Sequence, residues 1–299
     1  MNLVYSRALP SISGYFHPST VKSAISLLDK YRRGAKVLAG GTDILVSMRT
    51  RNSLPRYLVD ISGITKLNYI KFDSKGLLKL GPLVTIRDVE LSEIIGTKYQ
   101  LLREAAFCMG TIQVNNLATI IGNICRASPA GDMAPPLLVL EAKVKISGPD
   151  RNRVIPLSGF FIGPGKTILK YNEMVTEIQI PVIKENVGTA FLRLTRVASD
   201  LAKVSVAAAV EVKGGIFNKV KIALGSVAPK PIRAENAESF LLGKSISDET
   251  IEKAADLIIK DIKPIDDVRS SKDYRKEVSK ILVAKAIEIC INRAKVAGR

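Results

Sequence analysis

The chain has 299 residues, 46% of them hydrophobic and 24% charged. That composition can bury a large core and excludes disordered, collagen-like and disulfide-stapled miniprotein classes; the length fits two or three folding units. Lysine plus arginine outnumber acids 45 to 28, giving +17, but the basic residues are scattered, with no zinc-finger spacing, RNP-type aromatic cluster or basic heptad arm, so nucleic acid is not the expected partner.

A helix is predicted over residues 18–33, with Val21, Ala24, Ile25 and Leu28 on one face behind a Pro-Ser start. Gly34 stops it, Ala35 to Leu38 reads as a short strand, and Ile44 to Arg51 is again helical: a β-turn-α unit. Tyr57 to Ile61, Tyr69 to Phe72 and Leu77 to Gly81 read as strands, and Leu83 to Ile95 and Gln100 to Met109 as helical stretches. Residues 117–132 are too rich in Gly, Pro, Ser and Asn for regular structure and too apolar for a solvated linker, which predicts a loop wrapped around a ligand. Val144 to Ile146 and Met174 to Ile180 are strand-like, and the pattern changes after Pro181, which places the main boundary there. Beyond it come strands over Ala190 to Val197, Val204 to Val212 and Lys219 to Val227, then amphipathic helices over Asp248 to Lys260 and Arg275 to Lys295. Val278, Ile281, Leu282 and Ile289 of the last helix are expected to face the sheet.

The residue inventory restricts the chemistry. A single histidine, His17, rules out a multi-His metal site and leaves a Ser-His-Asp triad only through that residue. The three cysteines, Cys108, Cys125 and Cys290, have no C-x-x-C spacing and are one too few for a four-thiolate cluster, so no metal site is expected and metal redox chemistry falls to a partner. Sparse cysteine fits a reducing compartment. With no apolar signal-peptide stretch at the start and no run long enough to span a membrane, a cytoplasmic location is expected.

Two loops carry binding chemistry. At Leu38-Ala39-Gly40-Gly41-Thr42-Asp43-Ile44 a strand turns into a helix, backbone N–H groups can point at an anion, and paired glycines allow close approach. Asp43 is expected to cap that helix, since it would repel a phosphate. In Ala118-Thr119-Ile120-Ile121-Gly122-Asn123, followed by Ser128 and Asp132, the hydroxyl, amide and carboxylate groups offer hydrogen bonds to sugar or ribityl hydroxyls. Each loop alone reads equally well as an ordinary turn. Both in one chain predict a pyrophosphate held from two sides. Gly163-Pro164-Gly165-Lys166-Thr167 is not a P-loop, because Phe160 stands where the first glycine belongs; no G-x-G-x-x-G occurs either.

These loops, with Tyr15-x-x-Pro18, FFIGPGKTILKYNEMVTEIQIP and DDVRSSKDYR in the same order, resemble the FAD-binding medium subunit of molybdenum hydroxylases, the family of aldehyde, xanthine and carbon monoxide dehydrogenases. The flavour is that of a microbial three-subunit aldehyde or glyceraldehyde oxidoreductase. The resemblance implies an α+β chain. A two-lobed FAD-binding domain spans 1–181, with a parallel βαβ-type lobe over about 1–56 and a mixed or antiparallel lobe over 57–181. A C-terminal domain of antiparallel sheet and helices spans 182–299. It places the pyrophosphate loops on Ala39 to Asp43 and Thr119 to Asn123, a flavin-contacting aspartate on Asp132, and a backbone position beside the isoalloxazine on Val175.

The chain departs from the family at Ile121, where a glycine is usual, and at Asn115, where a basic residue is usual. Ile121 is acceptable if its side chain turns away from the cofactor, and Ile121→Gly is then expected to be tolerated. The family further implies FAD in this chain, with no catalytic side chain of its own. Molybdopterin would sit in a large partner and [2Fe-2S] clusters in a small one, and electrons would pass through FAD to an external acceptor. Nine basic residues, Arg269, Lys272, Arg275, Lys276, Lys280, Lys285, Arg293, Lys295 and Arg299, mark a candidate docking face. A self-sufficient flavin oxidase or reductase and a basic nucleic-acid-binding module remain open as alternatives.

Overall fold

A computed structural model describes residues 12–50, 55–184 and 186–297. The residues before Ile12, the expected helix end at Arg51, the side chain of Lys295 and Arg299 lie outside the described residues.

The first layer is a three-stranded parallel sheet ordered Gly14–Phe16, Tyr57–Asp60, Ala35–Leu38. The helix Val21–Tyr31 opens with a reciprocal cap: Ser23 N–H donates to Thr20 Oγ1 at 3.0 Å and Thr20 N–H to the Ser23 hydroxyl at 3.2 Å. Its buried face is Ala24, Ile25 and Leu28. Tyr57–Asp60 forms the centre of this sheet, so the parallel lobe continues past the expected break at residue 56. Tyr15 Oη donates to Asp60 Oδ2 at 2.5 Å, which ties the outer strand to the central one.

The second layer is a five-stranded sheet, ordered Ile70–Phe72, Leu78–Leu80, Met174–Ile180, Lys143–Ser147, Asn152–Pro156, with antiparallel pairing throughout. Helices Gln100–Cys108 and Ala134–Val139 share its core. The single helix expected over Leu83 to Ile95 is two, Ile86–Leu91 and Glu93–Lys98. Ser92, in extended conformation, ends the first and accepts from Ile95 N–H at 3.4 Å to start the second. Such a residue serves as an N-cap more readily than as a helix interior.

The third layer is a four-stranded antiparallel sheet ordered Val187–Leu194, Val204–Lys213, Ile216–Gly225, Ile232–Arg233. The 26-residue helix Lys272–Ala297 lies on it through Val283, Ala286, Ile287, Cys290 and Ile291. Val278, Leu282 and Ile289 pack at the edge of this core, but Ile281 points to solvent at 65% exposure, because the buried stripe runs along the 283-286/287-290/291 ridge. The helix approaches closely because position 188 has no side chain: a Cβ there would stand 1.8 Å from Cys290 O. A short helix, Glu235–Leu241, was not expected from the sequence. No helix among the described residues is long and apolar enough to cross a membrane.

DDVRSSKDYR proves to be a structural knot. Arg275 is 1% exposed and donates to Lys203 O at 2.6 Å, Ser226 O at 2.9 Å and Asp267 Oδ1 at 2.7 Å. Burial raises the Asp267 carboxyl, but the bonds from Arg269 and the charge of Arg275 outweigh it and hold the group well below the usual carboxylate range. This corrects the docking-face expectation for Arg275, which is inside the molecule. Its neighbours are mostly paired within the chain: Arg269 with Asp267, Lys276 with Asp273, Lys280 with Asp256 and Glu277, Arg293 with Glu104.

Arg275→Ala should lower the unfolding free energy by about 3–5 kcal/mol, since it orphans two buried carbonyls and removes a charge from Asp267. Because the folded carboxyl of Asp267 is depressed, its contribution is present above the ordinary carboxylate pKa and is lost as pH falls below it. Denaturant unfolding should therefore show the gap between wild type and variant narrowing in acid.

Candidate cofactor site

The first loop leaves its strand at Leu38, whose carbonyl accepts from Ile61 N–H at 2.9 Å, and enters the helix Ile44–Arg49. Gly41 takes φ +74°, in the left-handed region that favours glycine, and its carbonyl accepts from Leu45 N–H at 3.0 Å. The N–H groups of Gly40, Gly41 and Thr42 have no acceptor among the described residues. Asp43 occupies the N-cap position, yet its carboxylate makes no capping bond.

The second loop is not irregular. Residues Ile120–Arg126 form a helix capped by Thr119, whose hydroxyl accepts from Gly122 N–H at 2.9 Å, and closed by Ala127 at φ +49°. Ile120, Ile121 and Ile124 bury one face of it at helical spacing, while Gly122 stays exposed. The Gly and Asn residues that argued for a loop lie on the other face and cost some helix propensity, which the buried isoleucines offset. Ile121 is 5% exposed and packs in the second layer's core, so its side chain does turn away from the cleft. The same packing means that Ile121→Gly, expected to be tolerated, would remove a buried core side chain.

The two loops meet at Gly40. A Cβ built on that residue would stand 1.7 Å from Leu117 O and 2.5 Å from its carbonyl carbon, so only glycine lets the two backbones touch here. Ala118 O accepts from Ile86 N–H at 2.8 Å, and Ile120 N–H donates to Val84 O at 3.1 Å, which fixes the second loop against its own layer. Across the junction Arg126 Nε lies 3.5 Å from Asp43 Oδ1. Arg126 also lies beside the Gly163-Pro164-Gly165 turn, with Gly165 N–H donating to Ala127 O at 2.9 Å. Arg126 was missed in the sequence, although it closes the same motif as Asn123.

Asp132 and Asn123 carry the polar wall. Asp132 is 3% exposed; Oδ2 accepts from Arg193 Nη1 at 2.8 Å, and Oδ1 has no partner among the described residues. Burial pushes its carboxyl up to about 6 against the pull of Arg193. Asn123 Oδ1 is likewise buried without a partner among the described residues. Ser128 is used locally: its hydroxyl accepts from Ala130 N–H at 3.3 Å and its carbonyl from Gly131 N–H at 3.0 Å. Val175 is buried in the core on the central strand Met174–Ile180, just before a register irregularity, so only its backbone is open to a ligand role. Asn115, in place of the usual basic residue, is buried and donates to Met109 O at 2.6 Å. Buried acceptors and loop N–H groups that have no partner among the described residues, with Arg126 at the junction, fit a ligand that bears both hydroxyl or N–H donors and a phosphate anion. FAD is such a ligand.

Residues 10–183 match the model of the FAD-binding domain in molybdopterin dehydrogenase, and 189–289 that of the CO dehydrogenase flavoprotein C-terminal domain. The chain belongs to the molybdopterin dehydrogenase FAD-binding family. It is 33% identical over 279 residues to the carbon monoxide dehydrogenase medium chain of Hydrogenophaga pseudoflava, covering 93% of this chain and 97% of that one. It is also 33% identical, over 93% of this chain and 98% of the relative, to the glyceraldehyde dehydrogenase medium chain of Sulfolobus acidocaldarius. A solved carbon monoxide dehydrogenase from Hydrogenophaga pseudoflava, lacking the Mo-pyranopterin moiety, superposes with a TM-score of 0.93 over 96% of this chain and 99% of that one. In this family the chain is a flavoprotein oxidoreductase subunit, its α+β fold is that of the CO dehydrogenase medium chain, and its cofactor is FAD.

Ile121→Gly should cost about 3–5 kcal/mol of unfolding free energy, the sum of a large-to-small core change and a helix-interior glycine. Thr119→Ala should cost about 1 kcal/mol through loss of the cap, and Thr119→Ser should recover most of it. Urea titration of the flavin-free chain reads both.

Proposed function

We propose that this chain is the FAD-binding electron-transfer subunit of a molybdopterin-dependent hydroxylase. It takes electrons from a small iron–sulfur partner and passes them to an external acceptor, while a large molybdopterin-binding partner oxidises an aldehyde. The observations that carry the cofactor reading are the contact of the two glycine loops at Gly40 and Leu117 and, on the second segment, the buried Asn123 and Asp132 oxygens that have no partner among the described residues. The aldehyde is supported by the likeness to a glyceraldehyde dehydrogenase medium chain.

In this reading the backbone of Leu38 to Ile44 and of Ala118 to Asn123 holds the pyrophosphate, with Gly41 and Gly122 leaving room for it and Gly40 letting the Leu117 carbonyl come close. Arg126 supplies the nearby positive charge that Asn115 does not. Asn123 and Asp132 accept hydrogen bonds from the sugar, ribityl or ring donors, Ser128 shapes the turn between them, and the Val175 backbone borders the ring. Residues 1–181 form the cofactor domain and 182–299 the C-terminal domain. Bound FAD supplies a carrier that takes electrons singly and gives them up singly or in pairs. The chain's own residues bind and orient that carrier; none is needed as a general acid or base.

The cofactor should be held without a covalent bond. Cys125 is the thiol nearest the glycine core, and burial pushes it up to about 12, so it is a protonated thiol rather than a nucleophile at neutral pH. Acid precipitation should release one FAD per chain into the supernatant; flavin colour left in the pellet would contradict the reading. Aldehyde should bleach the flavin only when all three subunits are assembled. Bleaching of the isolated chain by aldehyde would instead make it a self-sufficient oxidase, and bleaching of the complex by carbon monoxide or a purine but not by aldehyde would reassign the substrate.

A further inference from the structure

We propose that Arg193, which belongs to the C-terminal sheet, is a positioning residue of the flavin site: it holds one oxygen of Asp132 so that the other stays ionised and free to accept from the cofactor. This rests on the FAD reading above. Arg193 lies near the end of the strand Val187–Leu194, its side chain 7% exposed. Its Nη1 donates to Asp132 Oδ2 at 2.8 Å and to Asp200 O at 3.3 Å, and its Nη2 donates to Ala198 O. One guanidinium thus fixes the carboxylate and, on its other edge, the turn that joins two strands of the C-terminal sheet. The turn is braced further by Arg196 Nε donating to Asp200 Oδ2 at 2.7 Å and by Lys203 N–H donating to Leu194 O at 2.8 Å.

Among the described residues, Arg193 is the one cation that acts on Asp132. From the facing helix Gln100–Cys108 come the Cys108 thiol, which burial raises, and the carboxylate of Glu104, and neither supplies a positive charge. A buried carboxylate without a cation takes up a proton. A protonated oxygen has one lone-pair site fewer and donates instead of accepting. Arg193 therefore decides whether the cofactor meets an acceptor at Asp132. A fork that grips one oxygen while its other edge is tied to backbone carbonyls also fixes which way the carboxylate faces.

The test uses the full chain, stripped of flavin and titrated with FAD across pH, with binding read by quenching of flavin fluorescence. In the wild type, affinity should hold above about pH 6 and weaken as pH falls through it, because the ionised carboxylate is the acceptor. In Arg193→Gln the weakening should begin at higher pH, so that FAD binds at least about tenfold more weakly near pH 7 and recovers toward wild type in mild alkali. Arg193→Lys, which restores a charge, should return the break toward pH 6. A loss in Arg193→Gln that is equal at every pH would mean a merely structural role and would overturn the proposal, as would an unchanged affinity and pH profile. If the wild type itself takes up no FAD, the cofactor reading fails rather than the role of Arg193.

Discussion

The cofactor cleft depends on an absence, the missing side chain at residue 40. The Leu117 carbonyl occupies the space where a Cβ of that residue would be, so the loop after the strand Ala35–Leu38 and the segment before the helix Ile120–Arg126 touch backbone to backbone there. Across the same junction Arg126 lies within ion-pair distance of Asp43. A side chain at residue 40 would collide with that carbonyl, so the backbone at the junction would have to shift.

The segment 117–132 joins all three layers. Its beginning is bonded to the Val84–Ile86 backbone and its helix is buried in the second core, while its end is tied to the C-terminal sheet by Ser226 N–H on Pro129 O at 2.7 Å and by Arg193 on Asp132. Such fixation explains how buried oxygens on Asn123 and Asp132 persist without protein donors. An unsatisfied polar atom is costly, and a mobile loop would turn it to water. Here packing on three sides prevents that rotation and leaves the atoms available to a ligand.

The charge of the chain is arranged differently from what its total implies. Much of the basic excess at the C-terminal end is matched locally by Asp256, Asp267, Asp273 and Glu277, and Arg275 is enclosed altogether. Exposed pairs of this kind add little stability, whereas the enclosed arginine organises three backbone and side-chain acceptors at once. The two arginines that bear on the cleft, Arg126 and Arg193, come from different layers and were not distinguishable from forty-three other basic residues by composition.

The sequence by itself determined the elements whose signals are local. The helix start behind Pro18 and Ser19, the apolar spacing of Val21 to Leu28, the strands at 35–38, 57–60 and 174–180, and the Gly40-Gly41 turn were legible, because periodicity, helix-start chemistry and glycine conformation act over a few residues. The ordered motifs carried the family as well. Tertiary structure decided the rest. Residues 120–126 are helical because three isoleucines find a core that composition did not reveal, and Ile281 faces solvent because helix rotation is set by the sheet beneath it. Tyr57–Asp60 joins the first sheet through strand pairing, not sequence proximity. Asp132 has its partner 61 residues away; a buried charge pair is a contact between distant segments, and nothing in the spacing of either residue encodes it.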